Sequence, residues 1–158
     1  MAKLLLSVHV LAAILVVGPI AVAASLFPRY ARQAASGGGG PQGRDAGAVA
    51  VLHRICRGYA VVGVAVPVFG VATGARLGVL TDAWLVASMV LTAVAAALLV
   101  LAIVPGQRRM LETAGGPDGS GGTRSAAARL AMLTGVFNLL WAVVVVLMIV
   151  RPGSTTGA

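Results

Sequence analysis

Hydrophobic positions in this chain fall into four long runs, separated by short polar segments that are rich in glycine and arginine. The first run, residues 4–26, carries no formal charge, and His9 is its only ionisable side chain. At about 1.5 Å of rise per residue, a helix of this length crosses a hydrocarbon core of roughly 30 Å and bonds its own backbone groups. The pattern therefore predicts a membrane-spanning helix.

Three further runs repeat this pattern, at residues 53–75, 83–104 and 130–150. We predict one all-α integral membrane domain, with four transmembrane helices in an up-down bundle. The segments 33–45 and 114–124 contain SGGGGPQG and GGPDGSGG, which are typical of flexible loops. The connection at residues 76–81 is short, so the second and third spans are expected to be antiparallel neighbours.

Prolines and potential caps predict where the helices bend, begin and end. Pro67 removes a backbone donor inside the second span, which predicts a kink there. Asp45 is a potential cap for a helix that starts near Ala46. Pro105 and Gly106 are expected to end the third span, after which Gln107 returns the chain to the membrane surface.

Composition supports a membrane protein and changes how the positive charge is interpreted. The chain is 59% hydrophobic and 10% charged, with a mean hydropathy of +0.98 and a net charge of +8. Soluble domains typically carry about 25% charged residues. Since the basic side chains lie between apolar runs, we expect them to meet anionic lipid headgroups rather than nucleic acid.

The distribution of the basic residues predicts an orientation. Nine arginines lie in or beside the two loops that join the first span to the second and the third span to the fourth, against Lys3, Arg76 and Arg151 elsewhere. Because basic loops stay cytoplasmic, both termini are predicted to be extracytoplasmic, in a bacterial cytoplasmic membrane. Lys3 and the Ala21–Val22–Ala23 sequence also resemble a signal peptide with its cleavage site, but cleavage would export nearly all these arginines, so we expect an uncleaved span.

Candidate chemistry inside the spans is limited to His9. Asp, Glu, Lys and Arg lie only in loops and at the ends of the spans, a pattern that disfavours a proton-coupled transporter or a hydrolase with paired acids. Two interpretations of His9 stay open: a haem, metal or proton site, or a neutral imidazole bonded to a neighbouring helix near Asn138 or Trp141. His53 is expected at the opposite surface, and the single cysteine, Cys56, excludes an intramolecular disulfide.

Small and polar residues are the other candidates for a role within the bundle. Gly70, Gly74 and Gly78 recur at four-residue spacing, which lets a neighbouring backbone approach closely. Packing inside the bundle, a homodimer face and chance spacing remain open for this stripe. Asn138 and Trp141 are predicted to pack near the middle of the membrane.

The chain resembles small predicted integral membrane proteins of bacteria, mainly actinobacteria, whose shared domain has no assigned function. The resemblance is carried by Leu6–Ser7–Val8–His9–Val10–Leu11–Ala12–Ala13, Phe27–Pro28–Arg29–Tyr30, Pro105–Gly106–Gln107–Arg108–Arg109–Met110 and Asn138–Leu139–Leu140–Trp141. The first helix is also similar to that of copper-resistance D-like membrane proteins and of the haem-dependent protoporphyrinogen oxidase of bacteria. In that oxidase the histidine works with a membrane lysine, whereas the only lysine here, Lys3, precedes the span.

These features predict a structural or partner-binding membrane component rather than an enzyme. Its expected partners are the lipid bilayer and either a second copy of the chain or another membrane protein. No cofactor is predicted. A redox protein that binds haem or a metal through His9 is the first alternative, and a small-solute transporter is the second.

Overall fold

A computed structural model describes residues 2–35, 43–113 and 121–153, and these parts of the chain are helical with no strand. Six α-helices and one π-helical segment follow in order: α1 (Ala2–Ala35), α2 (Gly43–Val62), α3 (Ala65–Leu77), α4 (Ala83–Leu98), the π segment (Leu99–Ile103), α5 (Val104–Thr113) and α6 (Gly121–Val150). They form four spans, since α2 and α3 together make the second and α4 to α5 the third. The predicted all-α fold with four membrane-length helices is confirmed.

Each helical span is longer than its apolar run. The four spans contain 33, 31, 31 and 29 residues. At about 1.5 Å per residue they measure roughly 45–50 Å, which exceeds the hydrocarbon core and reaches through the headgroup layer. Charged residues near their ends can therefore stay helical while their side chains lie in the polar interface.

The sequence predicts that helices begin and end with the apolar runs, but several helices extend beyond those runs. The first helix does not end after residue 26 but continues through Pro28 to Ala35, and α6 begins nine residues before residue 130. The helix α2 begins at Gly43, so Asp45 lies in its first turn instead of preceding it. Of the two predicted loops, residues 36–42 and 114–120 lie outside the described residues, and the flanking positions are helical.

The second span is interrupted one turn before Pro67. The N–H of Val66 donates to the carbonyl of Gly63 at 3.1 Å, and the N–H of Val64 donates to that of Val61 at 3.3 Å. These are three-residue turns where a regular α-helix bonds across four residues. Because Pro67 has no N–H to offer Gly63, the helix breaks between α2 and α3, as the proline predicted.

The third span continues through Pro105 and Gly106, so the prediction that they end it was wrong. The N–H of Val104 donates to the carbonyl of Leu99, five residues back, at the end of the π segment. In a regular helix the ring of Pro105 would meet the carbonyl of Leu101. A wider turn immediately before the proline relieves that clash, and α5 carries the helix on to Thr113.

The first span lies at the centre of the bundle packing. It packs along α2, α3 and α6, while α6 also packs against α4. The fully buried side chains come from all four spans and include Phe27, Cys56, Ile103 and Phe137. At one end of the bundle the guanidinium carbon of Arg151 lies 5.7 Å from the ring centroid of Trp84, which places the end of α6 beside the start of α4.

Candidate functional site

His9 projects from α1 onto the second span. Its Nδ1 lies 3.0 Å from the carbonyl oxygen of Val66, and its ring lies against Gly70, where a Cβ atom would stand 2.9 Å from the ring Cε1. Since a carbonyl only accepts hydrogen bonds, Nδ1 is the donor, which leaves Nε2 as the ring nitrogen that is not used in this contact. The partner of His9 is thus on α3, and the expected position near Asn138 or Trp141 was wrong.

Gly74 and Gly78 lie at the end of α3, where the second span turns into the third. A Cβ at Gly74 would stand 2.8 Å from Cδ2 of Leu85 and 3.1 Å from Cδ2 of Leu80. Gly78 has a φ of 71° and ends the helix in a left-handed conformation that favours glycine. The three glycines of the stripe therefore meet three different environments within one copy of the chain.

Asn138 and Trp141 belong to a polar row on α6 that also includes Thr134. The Nδ2 of Asn138 donates to the hydroxyl of Ser25 on α1 at 3.1 Å. The indole of Trp141 packs edge-on against Phe137, with ring centroids 6.3 Å apart. The Oδ1 of Asn138, the Nε1 of Trp141 and the Oγ1 of Thr134 are all buried without a hydrogen-bond partner among the described residues.

Neither Thr134 nor Ser25 was identified from the sequence. Thr134 is 2% exposed, and it precedes Asn138 by four residues and Trp141 by seven, which places all three on one helix face. That spacing is a signal that could have found Thr134. Ser25 has no comparable signal, because its role depends on which helix lies beside it.

A second polar group joins α2 to α5 at the arginine-rich end of the bundle. The Nδ1 of His53 lies 3.2 Å from Oε1 of Gln107, whose Nε2 donates to the sulfur of Cys56 at 3.5 Å. Gln107 is fully buried between α2 and α5 at this end of the bundle. His53 and Cys56 are three residues apart and share a face of α2, but their partner lies 51 residues or more away in sequence.

Few groups in the described part of the chain could carry out chemistry. The 2–35, 43–113 and 121–153 ranges hold no cluster of three or more His, Cys, Asp or Glu side chains that could bind a metal. Asp82 accepts a hydrogen bond from Nε1 of Trp84 at 3.1 Å, and Glu112 pairs with Arg108 at 2.8 Å on an exposed face. His9 therefore offers a single nitrogen ligand, and the other interior polar contacts mostly join one span to another.

Comparison with protein-family models, with curated proteins and with solved structures finds no match for this chain. The class of protein is therefore defined by the fold and its interior contacts alone. The chain is a small multi-pass membrane protein built from four apolar helices. The sequence resemblance to bacterial membrane proteins stays a prediction.

Proposed function

We propose that this protein is a non-enzymatic, partner-binding component of a bacterial cytoplasmic membrane, and that its second span receives the partner. The observation that carries the proposal is how little of that span the bundle covers. In its most apolar stretch 11% of the residues are buried, against 28% in the first span. Val61 and Val68 are 74% and 58% exposed on this surface.

The break in the second span leaves a backbone carbonyl that a partner helix can satisfy. The N–H of Val64 bonds to Val61 and not to Ala60, so the carbonyl of Ala60 lacks the donor that a regular helix supplies. An unsatisfied carbonyl inside the hydrocarbon region is costly, and neighbouring helices commonly satisfy such groups in membrane proteins. Gly58, two residues before Ala60, has open space where a Cβ would be, which allows a second helix to approach closely.

Photo-crosslinking in intact cells tests this proposal. A benzophenone amino acid at Val61 or Val68 should give a discrete protein adduct, whose mass identifies a second copy or another membrane protein. Leu139 on α6 is the matched control, because it is 66% exposed but lies on another span. Adducts with lipid alone from both test positions, or the same protein adduct from Leu139, would contradict the proposal.

A redox role that uses His9 is the second candidate. The contact from Nδ1 to the carbonyl of Val66 fixes the ring as outer-shell partners fix metal-binding histidines, and it leaves Nε2 as the ligand atom. The described residues supply this one ligand and no second one nearby. Purification in mild detergent followed by absorbance near the haem Soret band and metal analysis tests it, since a stoichiometric cofactor lost in His9→Gln would establish this role.

The proposed orientation places the arginine-rich end in the cytoplasm. That end is where α1 and α5 end and α2 and α6 begin, and it carries nine arginines of the chain. Lys3, Arg76 and Arg151 lie at the other end, with the start of α4. Retention of basic segments on the cytoplasmic side supports extracytoplasmic termini.

A further inference from the structure

A cleft opens at the arginine-rich end between the third and fourth spans. It has a volume of about 880 Å³, and its lining includes Leu101, Arg109, Glu112, Arg129 and Leu133. Within its lining, Gly106 lets the two spans approach, because a Cβ there would stand 3.2 Å from Cδ2 of Leu130. The volume lies within the roughly 300–1,000 Å³ that is usual for small-molecule pockets.

The lining changes from charged to apolar along the helix axes. On the third span, Leu101 precedes Arg109 by eight residues, which is about 12 Å of helix rise. On the fourth span, Leu133 follows Arg129 by four residues, which is about 6 Å of helix rise. Both leucines are nearer the middle of their spans than the arginines are. Leu101 is 75% exposed, so this apolar part of the cleft faces the lipid.

The charged part of the cleft carries an excess of positive charge. Arg109 and Arg129 are exposed, and neither has an ion-pair partner among the residues that the structure describes. Glu112 also lines the cleft, but its Oε1 already accepts from Nε of Arg108 at 2.8 Å. The guanidinium groups of Arg109 and Arg129, which have no ion pair within the described ranges, remain for a ligand.

We propose that this cleft binds one anionic phospholipid. The phosphate lies between Arg109 and Arg129, whose planar donor arrays match phosphate oxygens, and one acyl chain lies along Leu101 and Leu133. Basic pockets between membrane helices on the cytoplasmic side are suited to acidic headgroups. The charge complementarity and the apolar continuation toward the membrane interior favour a lipid over a soluble anion, and the proposal does not depend on a partner at the second span.

Lipid titration of the delipidated protein in detergent, followed by native mass spectrometry, tests the proposal. Phosphatidylglycerol should bind with a stoichiometry of one, and phosphatidylcholine should bind more weakly. Arg109→Gln and Arg129→Gln should each weaken phosphatidylglycerol binding roughly tenfold, as expected when a charge-assisted contact is lost. Arg124→Gln is the matched control, because Arg124 is exposed on the same helix as Arg129 but does not line the cleft.

Three outcomes would overturn the proposal. Equal binding of the two lipids would show that the headgroup charge is not recognised, and equal losses in Arg124→Gln and Arg129→Gln would indicate non-specific attraction to the basic end. Inorganic phosphate that displaces the lipid at similar concentration would show that the acyl chain is not held. Leu101→Ser separates these cases further, since it should weaken lipid binding without affecting phosphate binding. Because Leu101 is exposed, the variant should fold normally, and its melting temperature in the absence of lipid checks this.

Discussion

Replacing Gly70 by alanine tests the contact between the first and second spans most directly. The new Cβ would stand 2.9 Å from Cε1 and 3.3 Å from Nδ1 of His9, closer than such atoms normally approach. The ring cannot simply move aside, because Nδ1 is held 3.0 Å from the carbonyl of Val66 on the same helix as Gly70. The substitution must therefore lengthen this hydrogen bond or separate α1 from α3.

The expected cost combines three effects. Overpacking of a tight contact costs about 1–3 kcal/mol, and the weakened hydrogen bond adds about 0.5–1.5 kcal/mol. Alanine is favoured over glycine within a helix by about 0.5–1 kcal/mol, which offsets part of this. We expect Gly70→Ala to lower the free energy of unfolding by about 1–3 kcal/mol. Gly135→Ala on α6, where nothing lies within 4 Å of the added methyl, should be neutral or stabilising.

Reversible unfolding in mixed micelles, followed by tryptophan fluorescence, measures both variants. A double-mutant cycle with His9→Ala then isolates the contact, because removal of the ring makes room for the methyl. The two substitutions should be non-additive by about 1–3 kcal/mol, with Gly70→Ala harmless in the His9→Ala background. Additive effects, or a Gly70→Ala variant as stable as Gly135→Ala, would refute the packing argument.

Three further outcomes follow from the polar residues and the topology. Trp141→Phe keeps the ring packing and removes a buried, unpartnered N–H, so stability should be unchanged or slightly higher, whereas a loss of about 1–3 kcal/mol would show that the indole binds a group absent from this structure. His9→Gln should keep expression and thermal stability near wild type, because an amide can also donate to the Val66 carbonyl; collapse of the fold would contradict this. A cysteine placed at residue 39 in a Cys56→Ala background should resist a membrane-impermeant thiol reagent in intact cells, and efficient labelling would reverse the proposed orientation.

The residues at the ends of the spans show where local patterns stop being informative. The first apolar run ends at residue 26, but α1 continues to Ala35 because a helix can leave the hydrocarbon core and stay hydrogen-bonded in the headgroup layer. Pro105 is a typical stop signal for a helix, yet the third span continues past it. A π turn that no residue type announces removes its clash and keeps the helix intact.

The sequence by itself determined that this chain forms four membrane-length helices, because the cost of placing peptide groups in lipid depends on each segment's own composition and length. It also identified Pro67 as the cause of a break, since a missing N–H is a local property. Only the tertiary structure decided which groups the polar side chains meet. His9 is hydrogen-bonded to Val66, Asn138 to Ser25, and His53 to Gln107. The two residues of each pair are 54 to 113 positions apart in the sequence. Such pairings depend on how the helices are arranged around one another, and hydropathy along a single helix carries no information about its neighbours.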